Sequence, residues 1–275
     1  MEQVSSHGLG ASVIALLLVC GVFFAALLVY CGLTLSGHQP RSPEMRSRGE
    51  TVFLPLFVRE YWDWTISPGT RLLIRLRVEP DMISWVSLVA SAAAGVAFAA
   101  GYFGLGGWLY IFGGTCDIFD GQVARATGQS SVAGAFLDSL FDRYTEIFVL
   151  AGLACFFRGT IWLAPAVAAM AGSLMVSYAR ARGEGLGYSC REGGMQRAER
   201  IVYIGLAGVF GKVAEAIDPS RAWSVVFLAV SVTILAVSAN VTALQRALLI
   251  LRHLRGRDGR TASRLSEAPL KRAGH

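Results

Sequence analysis

The chain has 275 residues, of which 54% are hydrophobic and 16% are charged. Ordinary soluble domains carry about a quarter charged residues. This composition excludes a single water-soluble domain. It also excludes a chain that is mainly disordered, collagen-like or a nucleic-acid-binding arm. The formal net charge is +6, and the five cysteines lack the spacing of metal ligands. Neither a zinc site nor a disulfide framework is predicted.

Residues 1–38 are predicted to hold a retained transmembrane anchor. An uncharged apolar run covers residues 11–35, which is long enough to cross a hydrocarbon layer of about 30 Å as a helix. The residues before it lack the basic start of a signal peptide, and the run is longer than the apolar part of one.

Residues 39–79 are predicted to form a cytoplasmic juxtamembrane segment. Within it, residues 51–76 mix aromatic and aliphatic side chains with Arg and Asp. This mixture favours an amphipathic helix that lies in the membrane interface, with its aromatic rings at the depth of the lipid headgroups.

Residues 80–250 are predicted to form a membrane domain of six helices. The apolar runs fall at residues 83–102, 105–123, 132–157, 161–178, 201–216 and 223–244. With the anchor, the chain is expected to cross the membrane seven times. Residues 251–275 are basic, and from Arg255 onward they lack apolar periodicity, so we predict a disordered cytoplasmic tail.

The distribution of basic residues predicts the orientation. Arg and Lys concentrate in residues 39–80, in residues 180–200 and in the carboxyl-terminal tail, whereas the intervening loops hold few. Because Lys and Arg accumulate on the cytoplasmic side of membrane proteins, the amino terminus is predicted to lie outside and the basic segments inside.

Four aspartates interrupt two apolar runs. Asp117 and Asp120 are three residues apart, and Asp138 and Asp142 are four apart, so each pair shares one face of a helix. A carboxylate within a bilayer costs about 2.5 kcal/mol or more on insertion scales, so a cation is expected beside them. Carboxylate oxygens without His or Cys favour Mg²⁺, Mn²⁺ or Ca²⁺. The alternative is ion pairing with nearby arginines, but two of these, Arg125 and Arg143, cannot neutralise four aspartates.

Small residues and one arginine lie between the two acidic pairs. Gly121 and Gly134 would let a ligand approach the backbone, and Arg125 could bind a phosphate through two hydrogen bonds. The alternative for both glycines is tight packing of membrane helices. A phosphate-containing ligand bridged by metal therefore fits this segment.

The acidic pairs and the residues between them resemble the signature of a known family. The string Asp117-x2-Asp120-Gly121-x2-Ala124-Arg125-x8-Gly134-x3-Asp138-x3-Asp142 matches that of the CDP-alcohol phosphotransferases. The resemblance covers residues 80–244, and residues 1–36 have no counterpart in the usual bacterial member. It implies an all-α integral membrane protein that has a six-helix core, one extra amino-terminal transmembrane helix and a juxtamembrane amphipathic helix.

The resemblance also implies a reaction and its site. Two divalent cations, Mg²⁺ or Mn²⁺, would be held by Asp117, Asp120, Asp138 and Asp142, with Asp142 also the general base that activates the acceptor hydroxyl. Contacts to a CDP-linked lipid are implied for Asp81, Met82, Ile83, Ser84, Asp117, Gly121, Arg125 and Ser131. CMP would be the leaving group. For residues 80–84, the sequence is equally typical of a helix that begins at a proline.

Three arginines indicate which alcohol accepts the phosphatidyl group. Arg180, Arg197 and Arg200 could converge on a phosphomonoester, although the cytoplasmic bias of basic residues would also place arginines there. Glu184 and Glu199 are expected to orient or pair with them. The sequence around these arginines most resembles that of the phosphatidylinositol-phosphate synthase branch of the family, which uses inositol 1-phosphate. That branch usually has Lys in place of Arg180 and Pro in place of Ala198, so glycerol 3-phosphate, which gives phosphatidylglycerophosphate, is the second candidate.

The same residues also bear on other functions and on partners. A transporter for divalent cations would need acidic residues spread along a path through the bilayer, whereas these four fall on two adjacent helices. An inactive homologue would not be expected to keep all four aspartates. The resemblance implies CDP-diacylglycerol, membrane lipids and a second copy of the chain as partners, no nucleic acid, and a bacterial inner membrane with the site facing the cytoplasm.

Overall fold

The computed structural model describes residues 21–22, 24–36, 56–188, 197–220 and 222–267. The regular structure in these ranges is helical. The helices are α1 (Phe24–Leu35), α2 (Leu56–Arg75), α3 (Pro80–Ala99), α4 (Phe103–Ala126), α5 (Val132–Phe156), α6 (Leu163–Gly185), α7 (Arg197–Ile217) and α8 (Trp223–Glu267).

The predicted elements agree with these helices. Each of the six apolar runs corresponds to one helix from α3 to α8, and the amphipathic segment corresponds to α2. The second half of the predicted anchor corresponds to α1, while residues 1–20 and 37–55 lie outside the described residues. The domain boundaries at residues 38, 79 and 250 stay predictions.

A single large apolar core joins helices α3 to α8. Its fully buried members come from different helices, among them Phe98, Tyr110, Leu153, Ile204 and Leu228. The closest crossing is that of α3 and α5, where a Cβ added to Gly95 would overlap the carbonyl of Phe148, and one at Gly152 would overlap the backbone of Gly95. Glycine at both positions is what allows α5, which carries two of the aspartates, to lie against α3.

Two of the described helices combine the length and hydropathy of a membrane span. These are α3, with a mean hydropathy of 1.8, and residues Trp223–Arg257 of α8, with 2.2. The other core helices carry glycines and charged residues of the predicted site, which lowers their hydropathy. Phe24–Leu35 is a shorter apolar helix. The number of seven crossings stays a prediction.

The prediction that the chain becomes disordered at Arg255 is wrong, because α8 continues to Glu267. Contacts with the end of α6 explain the extension. The rings of His253 and Tyr188 lie 4.4 Å apart, and Arg257 Nη1 donates a hydrogen bond to the carbonyl of Leu186 at 3.4 Å.

Candidate active site

Three of the four predicted aspartates lie together where α4 approaches α5. One carboxylate oxygen from each of Asp117, Asp120 and Asp138 lies within 4.8 Å of the others. The two α4 residues share a helix face because they are three apart. Asp120 is buried and Asp138 is exposed, so the cluster opens to one side.

Helix α3 holds one of these carboxylates in place. Ser84 Oγ donates a hydrogen bond to Asp120 Oδ2 at 2.5 Å. Ser84 is on the first turns of α3 because Pro80 begins that helix, as the sequence predicted for a proline-started helix. The segment 80–84 thus starts a helix and also supplies a hydrogen bond to the acidic cluster.

The fourth aspartate is joined to the cluster through an arginine. Arg197 Nη1 lies 2.5 Å from Asp117 Oδ2 and 2.7 Å from Asp142 Oδ1. Its Nη2 donates to Thr145 Oγ1 at 3.1 Å. Arg197, from the start of α7, is therefore a cation that contacts two of the acids, and the ion-pairing alternative did not include it.

The residues that were predicted to contact the CDP-lipid occupy different environments. Asp81 and Met82 are exposed at the start of α3, whereas Ile83 is 5% exposed and packs with Cys116 and Val123. The side chain of Ile83 therefore serves the packing of α3 on α4. The contact that was predicted between Ile83 and cytidine stays a prediction.

The phosphate-binding candidates surround the turn between α4 and α5. A Cβ at Gly121 would lie 3.0 Å from Arg125 Nη1, so the absence of a side chain leaves this space to the guanidinium. Ser131 caps α5 by accepting a hydrogen bond from the backbone N–H of Gly134 at 2.9 Å. Gly134 thus has a structural role, and its N–H is satisfied within the cap.

The three arginines of the predicted acceptor site are not equivalent. Arg180 is exposed and pairs with Glu184 at 3.0 Å, which confirms the pairing predicted for Glu184. Arg200 is buried, and its Nε and Nη2 contact Glu146 Oε1 at 2.8 and 2.5 Å. Of the three, Arg197 alone contacts the aspartates in the described part of the chain.

The acidic cluster fits a divalent cation. Three carboxylates within 4.8 Å of one another repel unless a cation lies between them, and oxygen donors of this kind suit Mg²⁺ and Mn²⁺. Asp117, Asp120 and Asp138 would supply the ligands.

Comparison with known proteins agrees with this geometry. A family model described as CDP-alcohol phosphatidyltransferase matches residues 77–235. The chain belongs to the CDP-alcohol phosphatidyltransferase family. The match includes all four aspartates, Arg125 and Arg197. The chain is thus a transferase enzyme with an all-helical fold.

Curated relatives of this CDP-alcohol phosphatidyltransferase act in the synthesis of inositol lipids, according to their names. Phosphatidylinositol phosphate synthase of Cutibacterium acnes is 29% identical over 199 residues, which cover 70% of this chain and 96% of that protein. The Streptomyces avermitilis enzyme of the same name is 30% identical over 237 residues, 82% and 95% of the two chains. Archaetidylinositol phosphate synthase of Methanothermobacter thermautotrophicus is 32% identical over 181 residues, 66% and 87%.

Solved structures of Mycobacterium tuberculosis phosphatidylinositol phosphate synthase share the fold. The complex with manganese and citrate has a TM-score of 0.59 and 25% identity, and it covers 67% of this chain and 88% of that one. The structure with CDP-diacylglycerol bound has a TM-score of 0.56 and 26% identity, with coverage of 66% and 92%.

Several residues near the acidic cluster of this phosphatidyltransferase were not predicted from the sequence. Glu146 continues the four-residue spacing of Asp138 and Asp142 along one face of α5, so its position could have been predicted from that spacing. Thr145 and Gln122 carry no comparable signal. Gln122 lies at an unspecified position of the signature, and its partners Asp63 and Thr70 belong to α2.

Proposed function

We propose that the chain transfers a phosphatidyl group from CDP-diacylglycerol to the hydroxyl of inositol 1-phosphate, and that CMP is released. The observation that carries this proposal is the cluster of Asp117, Asp120 and Asp138, with Asp142 joined to it through Arg197. The names of the relatives, and the CDP-diacylglycerol bound to a structural neighbour, support the donor and the acceptor.

The acidic residues have distinct proposed roles. Asp117, Asp120 and Asp138 would hold divalent cations, two per site, and Asp142 would be a further ligand. When bound, these cations neutralise the pyrophosphate of the donor and stabilise charge on the leaving CMP. Ser84 orients the Asp120 carboxylate through its hydrogen bond.

Asp142 is the proposed general base. It would take the proton from the acceptor hydroxyl, whose oxygen then attacks the β-phosphorus of the donor while the bond to CMP breaks. Arg197 lies 2.7 Å from the Asp142 carboxylate, so a phosphate bound by Arg197 brings the rest of the acceptor next to the base. Arg180 and Arg200 are the further candidates for contact with that phosphate.

The donor is proposed to bind along the first turns of α3 and the turn after α4. Asp81, Met82, Ile83 and Ser84 would lie along the cytidine, and Gly121, Arg125 and Ser131 would contact the nucleotide or its phosphates. These residues come from two helix ends that the Ser84–Asp120 hydrogen bond joins.

The setting of the reaction is also proposed. The chain is an integral protein of a bacterial inner membrane, with seven crossings, the site facing the cytoplasm and a homodimer as the assembled form. Three carboxylates lie within 4.8 Å of one another. This favours catalysis over cation transport, because a transporter would need acidic residues distributed along a pathway through the membrane.

The decisive experiment is release of CMP from CDP-diacylglycerol by the purified protein with Mg²⁺ or Mn²⁺. Inositol 1-phosphate, glycerol 3-phosphate, inositol and serine serve as acceptors. Release with inositol 1-phosphate alone is expected. Release with glycerol 3-phosphate alone would keep the reaction and replace the acceptor, and no release with any acceptor would overturn the proposal.

A further inference from the structure

The extra amino-terminal helix is attached to the rest of the protein by a buried aromatic ring. Tyr30 on α1 is fully buried, whereas Leu28, two residues earlier, is 59% exposed. The Tyr30 ring lies 5.3 Å from that of Phe57, 5.7 Å from Tyr61 and 5.6 Å from Trp64 between ring centroids. These four rings, here called the aromatic cluster, join α1 to the first half of α2. Such pairs stabilise beyond the area that they bury.

Helix α2 in turn holds α4 by polar contacts. Gln122 Nε2 donates to Asp63 Oδ1 at 2.7 Å, and Thr70 Oγ1 donates to Gln122 Oε1. The amide of Gln122 is thus bound on both sides by α2. Close packing adds to this, since a Cβ at Gly69 would lie 2.8 Å from the ring of Phe119.

These contacts lie on the back of the helix that carries the acidic cluster. Residues of an α-helix are separated by about 100°, so Phe119 and Gln122 face one way and Asp117 and Asp120 face the other. Helix α4 therefore lies between α2 and the aspartates. A displacement of α2 would move Asp120 and Gly121 together with the helix.

The sequence of α2 makes it depend on support at both ends. Pro68 lies inside the helix, where it removes one backbone hydrogen bond and weakens the helix. The aromatic cluster holds the half before Pro68, and Gly69 and Thr70 hold the half after it against α4. Asp63 lies before Pro68 and also binds Gln122, so both halves of α2 contact α4 through this amide.

We propose that α1 is a positioning element. It acts through Tyr30, α2 and Gln122 to hold α4 in position, and with it the residues around Gly121 where the donor is proposed to bind. Tyr30 and Gln122 are positioning residues. The proposal rests on the proposed function for the identity of the donor, whereas the mechanical link from α1 to α4 does not depend on it. A helix that served as a membrane anchor only would leave α4 unaffected.

The link is tested first without turnover, by hydrogen exchange of the full chain in lipid nanodiscs. Tyr30→Ala is compared with Tyr30→Phe, which keeps the ring, and with Leu28→Ala on the exposed side of the same helix. Faster exchange in residues 60–75 and in α4 is expected for Tyr30→Ala alone. A change confined to α1, or an equal change in Leu28→Ala, would overturn the proposal.

The second measurement separates binding from turnover. Tyr30→Ala is expected to raise KM for CDP-diacylglycerol by roughly threefold to tenfold, with KM for the acceptor unchanged and Tyr30→Phe close to the unaltered enzyme. Because both act through α2, Tyr30→Ala and Gln122→Ala together should raise KM by less than the product of their separate effects. A KM raised by the full product of the two separate effects, or an equal rise in KM for donor and acceptor, would contradict the coupling. If the unaltered protein releases no CMP, the proposed function fails, and hydrogen exchange still decides the link.

Discussion

Among single residues, Asp142 differs from the other three aspartates in its neighbours. Asp117, Asp120 and Asp138 form the cluster, whereas Asp142 is one helical turn further along α5 and is joined to the cluster through Arg197, which also contacts Asp117. A carboxylate at the edge of a metal cluster can bind a proton while its neighbours hold cations. This position at the edge of the cluster favours Asp142 as the base.

Replacement of Asp142 tests this division. We expect Asp142→Asn to lower kcat by about 10²- to 10⁴-fold, because the amide cannot take a proton, and to leave binding of CDP-diacylglycerol largely intact. Steady-state CMP release and a donor-binding assay measure the two effects. Asp218→Asn, at the other end of α7, is the control. Turnover that survives in Asp142→Asn would remove it as the base.

Arg197 should govern the phosphate of the acceptor. Arg197→Ala is expected to raise KM for inositol 1-phosphate by about tenfold or more, because hydrogen bonds to a charged group are lost. Arg197→Lys should restore part of the affinity, since it keeps the charge and loses the paired geometry. Arg158→Ala, an exposed arginine outside the site, is the control. An equal rise in KM for unphosphorylated inositol would argue against phosphate recognition.

The spacing of the aspartates predicted which residues meet, since positions three and four apart share a helix face. It could not predict the partner of each arginine. Arg197 and Arg200 are three apart, yet one contacts Asp117 and Asp142 while the other contacts Glu146. That difference depends on how α7 packs against α4 and α5, which local sequence does not contain.

Between elements, the buried ion pair of Glu146 and Arg200 fastens α5 to α7. Their side chains are 4% and 5% exposed, and Arg200 Nη2 lies 2.5 Å from Glu146 Oε1. Removing one partner of a buried ion pair costs about 3–5 kcal/mol. Glu146→Leu should therefore lower the free energy of unfolding by that amount, as measured by denaturation in detergent.

Two comparisons make the measurement specific to burial. Adding Arg200→Met to Glu146→Leu should recover most of the lost stability, because a buried pair replaced by apolar side chains is often neutral. The exposed pair of Arg180 and Glu184, at 50% and 43% exposure, is the control, and Glu184→Gln should cost only about 0.3–0.5 kcal/mol. A similar loss of stability from Glu146→Leu and from Glu184→Gln would contradict this effect of burial.

The sequence predicted the core helices better than the segments outside the core. Apolar runs that end at glycine or charge indicate where a helix lies in a bundle, and α5 agrees with its predicted run to within one residue. The chain after Arg255 has no apolar face, so periodicity indicated disorder. Its helix follows instead from contacts of His253 and Arg257 with the end of α6, which only the tertiary structure contains.

For the whole molecule, cation binding should be linked to stability. A cation that binds the folded protein alone adds about 2.7 kcal/mol at a concentration one hundred times its Kd. We expect Mn²⁺ or Mg²⁺ to raise the unfolding temperature in detergent and a chelator to reverse the rise. Asp120→Asn should abolish the effect, whereas Asp218→Asn should keep it. An equal rise in both variants would indicate binding outside the acidic cluster.

The prediction of seven crossings can be tested from the positions of charged residues and loops in the bundle. Asp120 is near the end of α4, Asp138 near the start of α5, Arg180 near the end of α6 and Arg197 at the start of α7. All four therefore lie at one end of the bundle, and the distribution of basic residues predicts that this end is cytoplasmic. In a cysteine-free background, Thr160→Cys and Ser5→Cys should react with an impermeant reagent on intact cells, and Ser130→Cys only after permeabilisation. Protection of Ser5→Cys alone would leave six crossings and remove α1 from the span count.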